Sequence, residues 1–202
     1  MGVVQQTSPS PGLTKDTEGW RLSLYALVSQ INKTVGIILK QGDDLAAAIN
    51  RASANTRFIM TPGIYGNSNT AWVTTKPATV IALPGAVIYG SLTIQGGGTE
   101  LDGLQFESLG KLSMTSNGNL VRNAHFGQTC TLSPLIYDAG TLNRYEGCHS
   151  WATTPGAIGM DIAGSSAIVT NNSFPTHPTA VRYNVAGGHQ LSNCRGLGLQ
   201  PP

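Results

Sequence analysis

Asp138 and Asp161 are the two residues of this chain whose type and spacing best suit chemistry. They lie 23 positions apart, each in a short segment that ends in Ala-Gly, so stacked structural repeats would bring them together. Two carboxylates about 5 to 9.5 Å apart are what glycosidic cleavage requires, one as the acid and the other as the base or nucleophile. Aspartate in turn-forming segments also accepts hydrogen bonds from backbone N–H groups, so a structural role stays open.

A second group of ionisable residues surrounds Arg122. Asp102 lies 20 positions before it and Glu146 lies 24 after it, while His125 and His149 repeat the 24-residue spacing. An arginine between two carboxylates could activate one of them, but the same pattern is typical of a charge ladder on an outer face. Two stacked histidines could bind a metal ion, yet no clear third ligand shares their column, so no metal site is predicted.

These residues belong to an internal repeat, which determines how they are positioned. Each copy begins with an apolar residue and has Gly or Asn at its third position, with a period of about 20 to 24 residues, the range of solenoid coils. A second repeated element, ending in Gly, lies between the copies in the same register. The copies of the first element are residues 101–106, 121–126, 145–150, 169–174 and 191–196.

Each coil is predicted to consist of short β-strands. The pieces between turn residues are brief and rich in Val, Ile, Leu, Thr and Tyr, whereas helical repeats need longer periodic runs. We therefore expect an all-β fold, a parallel β-helix of about seven coils, because one coil cannot bury its apolar face alone. Gly or Asn at the third position would take the left-handed conformation of a sharp corner. The first residues of the copies should stack in one column: Leu101, Val121, Tyr145, Val169 and Leu191.

The N-terminal part of the chain differs in kind. Residues 1–16 are rich in Gln, Ser, Thr and Pro without periodicity and are predicted to form an extended arm. Residues 17–40 are predicted to form a helix with a short apolar seam, which could join chains or pack on the β-helix of its own chain. The seam residues are Leu24, Leu27, Ile31 and Ile38.

A second, capping helix is predicted over about residues 43–54, at the start of the β-helix domain of residues 41–202. Leu45 and Ile49 belong to one apolar face, and Asp43 is placed to cap the helix. A β-helix exposes apolar core and unpaired strand edges at its open end, so such a helix is expected to cover the first coil.

Composition narrows the possible partners. Only 11% of the 202 residues are charged and the formal net charge is +2, which implies neither nucleic acid nor an anionic membrane as a partner. No apolar run is long enough to insert into a membrane and no secretory signal opens the chain, so synthesis in the cytoplasm without export is expected.

The chain has three cysteines, and this odd number argues against a disulfide framework.

The stretch GDDLAAAINRASANTRFIMTPGIYG, residues 42–66, resembles the opening of right-handed parallel β-helix proteins of the pectate-lyase-like superfamily. In that group a capping helix precedes a strand and a Pro-Gly-x-Tyr turn, and the corners LDGLQF and VRNAHF are similar to its coil corners. The resemblance implies a right-handed, single-stranded β-helix but no particular function, since enzymes and inert adhesins share this fold. The polygalacturonase combination of an Asp-Asp pair, Gly-His-Gly and a basic triplet is absent.

The start of the chain, a Pro- and Ser-rich arm followed by GWRLSLYALVSQIN, is similar to the start of small tailed-phage virion proteins. This resemblance implies a non-enzymatic structural protein on the virion surface, a homotrimeric capsid decoration protein attached to other virion proteins by its arm. The alternative is a short tail spike or fibre that binds a host surface glycan. A polysaccharide lyase or hydrolase that uses Asp138 and Asp161 is a third possibility. No cofactor is expected.

Overall fold

The chain folds into a parallel β-solenoid of about seven turns, seen in a computed structural model that describes residues 35–152, 157–184 and 187–196. Each turn contributes short strands that pair in parallel with strands of the turns before and after it. The prediction of an all-β fold built from stacked coils is confirmed. Within the described ranges, no helix has the length and apolar character needed to cross a membrane.

One face of the solenoid is an eight-stranded parallel sheet whose members are only three to five residues long. In spatial order its strands are β1 (Ile37–Leu39), β2 (Thr56–Met60), β4 (Ala78–Ala82), β6 (Glu100–Asp102), β8 (Leu120–Arg122), β11 (Arg144–Glu146), β14 (Ile168–Thr170) and β17 (Gln190–Ser192).

The remaining strands form a ten-stranded sheet that branches at β7. The first residues of β7 pair with β9 and its last residues pair with β10, so beyond β7 the sheet continues as two columns of strands. Its strands are β3 (Gly63–Thr74), β5 (Ala86–Ile94), β7 (Gln105–Met114), β9 (His125–Phe126), β10 (Ile136–Asp138), β12 (His149–Ser150), β13 (Ile158–Ile162), β15 (Ser173–Phe174), β16 (Thr179–Tyr183) and β18 (Arg195–Gly196).

The predicted apolar column is confirmed. The strand register places Leu101, Val121, Tyr145, Val169 and Leu191 beside one another in successive turns. The first four are buried, and Leu191 packs against the same core while partly exposed. Because alternate strand residues face opposite sides, their immediate neighbours in sequence point outward.

The predicted left-handed corner is also confirmed. Residues 103, 123, 147, 171 and 193 have φ values of +72°, +52°, +66°, +57° and +50°. Gly and Asn tolerate this conformation, in which other side chains crowd the backbone. The corner amides do not form one continuous ladder, since Asn193 donates to Asn171 at 2.6 Å but Asn123 donates to Asp102 at 2.9 Å. Gly147, between the two asparagine positions, has no side chain with which to join them.

A second polar column, which the sequence reasoning missed, lines another corner inside the solenoid. Asn119 Oδ1 accepts from the Thr99 N–H at 2.9 Å, and Asn143 Oδ1 accepts from the Asn119 N–H at 2.8 Å. One turn further, the Ala167 N–H donates to Nδ1 of His189 at 3.1 Å. All five residues are buried, so each bond satisfies a backbone donor that water cannot reach. We call these five residues the buried ladder.

The predicted capping helix is present but shorter, because α1 spans Leu45–Arg51 rather than about 43–54. Its N-cap is Asp44, whose Oδ1 accepts from the Ala47 N–H at 2.8 Å. The prediction that Asp43 caps the helix is wrong, since Asp43 Oδ2 instead accepts from the Lys40 N–H at 2.7 Å. Two adjacent aspartates could serve as the cap, and only the backbone geometry distinguishes them.

The helix ends at Arg51 because the backbone of Ala52 is already extended, with a ψ of 169°. Leu45 and Ile49 are buried in the same core as the strand residues, as a cap on the first coil requires. Asn50 ties the helix to the end of β3, since its Nδ2 donates to the Val73 carbonyl at 2.8 Å.

Strand β1 corrects the predicted helix of residues 17–40 at its C-terminal end. β1 pairs in parallel with β2, and the β-branched pair Ile37 and Ile38 suits a strand better than a helix. Ile38 lies on the outer side of β1 and is 60% exposed, so its placement in a helix is wrong, while its role in joining chains stays a prediction. The other seam residues, Leu24, Leu27 and Ile31, and the arm of residues 1–16 lie outside the described residues.

Candidate functional site

The two candidate catalytic aspartates do not form a pair. Strands β10 and β13 align so that Tyr137 lies beside Asp161 and Asp138 lies beside Ile162. The aspartates are therefore offset by one residue, and such an offset turns two side chains to opposite sides of a strand. The expectation that they occupy equivalent positions in adjacent coils is wrong.

Asp138 points into the solenoid and is fully buried. Its Oδ1 accepts from the Gly140 N–H at 2.9 Å and from Nδ2 of Asn143, a member of the buried ladder, at 2.7 Å. Burial raises the pKa of this carboxyl, because desolvation outweighs the hydrogen bonds and the nearby Tyr145 and His189 that favour its charged form. These contacts make Asp138 a structural acceptor that no polysaccharide can reach.

Asp161 points outward, and its carboxylate is engaged by two neighbours from the next turn. Arg182 donates to it through Nη2 at 2.7 Å and Nε at 3.1 Å, and Asn184 Nδ2 donates to Oδ1 at 2.5 Å. The hydrogen bond to Asp161 raises the pKa of Arg182. A carboxylate that is neutralised and only 5% exposed is poorly placed to act on a bound chain.

The column of Asp102, Arg122 and Glu146 stacks as predicted. Arg122 Nε lies 3.4 Å from Glu146 Oε2, and Arg144 Nη2 lies 2.7 Å from Glu146 Oε1. Asp102 accepts instead from the side chain of Asn123. The two arginine side chains are about half exposed, so the group is a solvated charge ladder on the outer face rather than an activated carboxylate pair.

His125 and His149 also stack as predicted, with ring centroids 4.3 Å apart and the rings inclined at 63°. Burial lowers the pKa of His125 and the neighbouring His149 lowers it further, so the neutral ring is favoured. In the part of the chain that the structure describes, no three His, Cys, Asp or Glu side chains are grouped to hold a metal ion.

Beside the histidine pair lies an open hollow of about 650 Å³ on the outer face of β5, β7, β9 and β12. We call it the Trp151 groove. Two columns of outward-facing residues form it, in the same coil order. One column holds Val87, Gln105 and His125, with His149 one turn beyond His125 and outside the groove, and the other holds Tyr89, Glu107, Gly127 and Trp151.

Gly127 gives the Trp151 groove its depth. A Cβ atom at this position would lie only 1.9 Å from Oε1 of Glu107, so the Glu107 carboxylate lies over the glycine. The Thr129 hydroxyl donates to Glu107 Oε2, and the Ser108 N–H donates to Thr129 Oγ1 at 2.7 Å. The carboxylate is thereby held in one orientation at the floor of the groove.

Trp151 forms one end of the groove and is 52% exposed. The His149 ring meets it edge-on, with centroids 6.5 Å apart and an interplanar angle of 80°. An indole oriented by a neighbour yet open to solvent offers an apolar surface together with an N–H donor.

The sequence reasoning missed this groove, although the signal was present. Glu107, Gly127 and Trp151 directly follow three successive copies of the repeat, at the outward position of the strand. The repeat is defined by six residues, and the groove residues occupy the seventh position, which varies from copy to copy.

Fold and groove together define the class: a parallel β-solenoid with an open surface groove bounded by aromatic and polar side chains. Comparison of the chain with protein-family models, with curated proteins and with solved structures finds no match. Functional inference for this solenoid therefore depends on its own residues.

Proposed function

We propose that this chain is a non-enzymatic structural protein on the surface of a tailed-phage virion, built on a β-helix of the pectate-lyase-like type. The β-helix type is supported by the capping helix, the Pro-Gly-x-Tyr turn and the coil corners, which carry the resemblance to the pectate-lyase-like group. The phage origin is supported by the resemblance of the N-terminal arm and helix sequence.

The observation that carries the non-enzymatic part of the proposal is the separation of Asp138 from Asp161. Glycosidic cleavage needs two carboxylates that face the same bond. Here one carboxylate is fully buried and the other is bound by Arg182, on opposite sides of the strand wall. Loss of a polysaccharide-cleaving activity in Asp138→Asn or Asp161→Asn would contradict this part.

For the virion role we propose a homotrimeric capsid decoration protein, attached by the arm of residues 1–16. Leu24, Leu27 and Ile31 would form the trimer seam. The surface supports association, because only 11% of the residues are charged and few Lys or Glu side chains keep neighbouring copies apart. Closed cyclic symmetry is the usual way to bury such a face.

The test is co-sedimentation of the purified chain with tailed-phage shells and, separately, with tails. Sedimentation with shells supports decoration, and the double variant Leu27→Asp, Ile31→Asp should run as a monomer and no longer attach, because unpaired charges cannot be buried at a seam. A wild-type chain that is monomeric and still attaches would contradict the trimer. Attachment to neither particle would contradict the virion role.

The second candidate is a short tail spike or fibre that binds a host surface glycan. One observation favours it over decoration, namely the Trp151 groove, since a pure cement protein has no need of an open hollow with an oriented carboxylate and an exposed indole. Sedimentation with tails rather than shells would select this role.

A further inference from the structure

We propose that the Trp151 groove is a binding site for a neutral oligosaccharide, with Trp151 and Tyr89 as stacking platforms and Glu107 as the polar anchor. The inference rests on the glycan-binding role proposed above and assigns that role to named residues. It concerns the isolated chain, so it can be tested apart from any virion.

The shape of the groove favours an extended ligand. Tyr89, Glu107, Gly127 and Trp151 occupy one column in four successive turns. Three steps of strand spacing separate the two aromatic residues, which places them about 14 Å apart along the axis. A single sugar ring cannot touch both, whereas a short oligosaccharide laid along the column can.

The side chains supply the two kinds of contact that a sugar offers. The apolar faces of sugar rings pack on flat aromatic surfaces, for which Trp151 is open. Sugar hydroxyl groups need acceptors with fixed geometry, and the Glu107 carboxylate is held by Thr129 at the floor between the aromatic residues. Gln105 lies in the adjacent column and adds an amide that both donates and accepts.

The charge of the groove favours a neutral sugar over an acidic one. Glu107 would repel a uronic or sialic acid carboxylate placed near it, and the described lining residues include no Lys or Arg. Burial and His149 lower the pKa of His125 while Glu107 acts against them, so His125 adds no fixed positive charge like that of Lys or Arg. Among the described lining residues the Glu107 carboxylate therefore dominates the charge that an acidic ligand would meet.

The test is binding of the full chain to an array of immobilised neutral and acidic oligosaccharides, followed by calorimetric titration with the neutral oligosaccharide that gives the strongest signal. Trp151→Ala should lower the affinity by more than about tenfold, because exposed aromatic anchors dominate binding surfaces. Trp151→Phe should restore part of it. Glu107→Gln should weaken binding about threefold, since a neutral amide accepts less strongly than a carboxylate.

Val73→Ala is the matched control, because Val73 is also a partly exposed apolar residue of the same sheet and lies outside the groove. Its affinity and melting temperature should equal those of the wild type. Absence of array binding, a preference for acidic oligosaccharides, or equal affinities for Trp151→Ala and Val73→Ala would each overturn the inference. If the chain binds sugar but attaches to no particle, the groove proposal is supported and the virion role is rejected. If the chain attaches to a particle but binds no sugar, the virion role is supported and the groove proposal is rejected.

Discussion

The buried ladder and the charge ladder run along the same solenoid axis and differ in burial. Asn119 and Asn143 bond from turn to turn at 2.8 Å where water cannot reach, whereas Arg122 and Glu146 meet at 3.4 Å on the outer face. Both have one residue per turn. Water can replace a lost contact on the outer face but not in the interior, so the position of a polar residue on its strand decides how much it stabilises.

The largest effect should come from breaking the buried ladder. Asn143→Ala leaves the Asn119 N–H without an acceptor and removes a donor from Asp138, and we expect it to lower the free energy of unfolding by about 3 kcal/mol. Urea denaturation measures the loss. Asn117→Ala is the matched control, because Asn117 bonds the Thr141 N–H at an exposed site and should cost less than about 1 kcal/mol. Equal losses would contradict the comparison.

A second effect concerns the carboxylate beside that ladder. Because the folded pKa of Asp138 is raised, its protonated form is favoured in the folded state, so stability is full below the unfolded pKa of about 3.9 and falls as pH rises toward the folded pKa. Asp138→Asn removes this dependence. We expect the variant to gain stability over the wild type as pH rises from about 3 to 7, measured by urea denaturation at each pH. A constant difference across that range would show that Asp138 is not the titrating group.

The charge ladder should respond least of the two columns. Arg122→Ala should cost at most about 1 kcal/mol, and less at high salt, because the side chain is exposed and water replaces its partner.

Arg182, which lies outside both ladders, provides a comparison. Arg182→Ala should cost more, about 2 kcal/mol, since it leaves the buried Asp161 carboxylate without its main donor. If Arg122→Ala proves the costlier change, burial is not the deciding variable.

The smallest effect concerns the three cysteine thiols, which should differ in reactivity toward reagents in the folded protein. Burial raises the pKa of Cys130 and Cys148 to about 12, and both are enclosed, whereas Cys194 is partly exposed. A disulfide-exchange reagent at mildly alkaline pH should label one thiol in the folded protein and three after unfolding. Rapid labelling of all three under native conditions would show that the interior opens more readily than the buried ladder allows.

Much of the fold could be predicted because the repeat carries it. Leu101, Val121 and Tyr145 stack since every coil needs an inward apolar residue at the same place, and Asn123 or Gly147 follows wherever the backbone must turn left-handed. Each copy of the repeat therefore shows an apolar first residue and a Gly or Asn at its third position.

The candidate site was harder to predict, because coil length varies and side chains alternate. A spacing of 23 residues put Asp138 and Asp161 in apparent register, while the strands align Tyr137 with Asp161 at 24, and that single residue separates inside from outside. The Trp151 groove could not be predicted for a different reason. Gly127 contributes through the side chain that it lacks, which no search for reactive residues detects.

The parallel pairing of successive turns also bears on how the chain reaches its folded state. Leu101 pairs with Val121, 20 positions away, and Val121 pairs with Tyr145, 24 positions away, so contacts between turns span only a small part of the 202 residues. Such separations are short relative to the chain length, so closing each new turn costs little chain entropy. Each new turn needs only its predecessor as a template. The solenoid can therefore form in order as the chain leaves the ribosome, and local unfolding should spread from its ends rather than open the whole molecule at once.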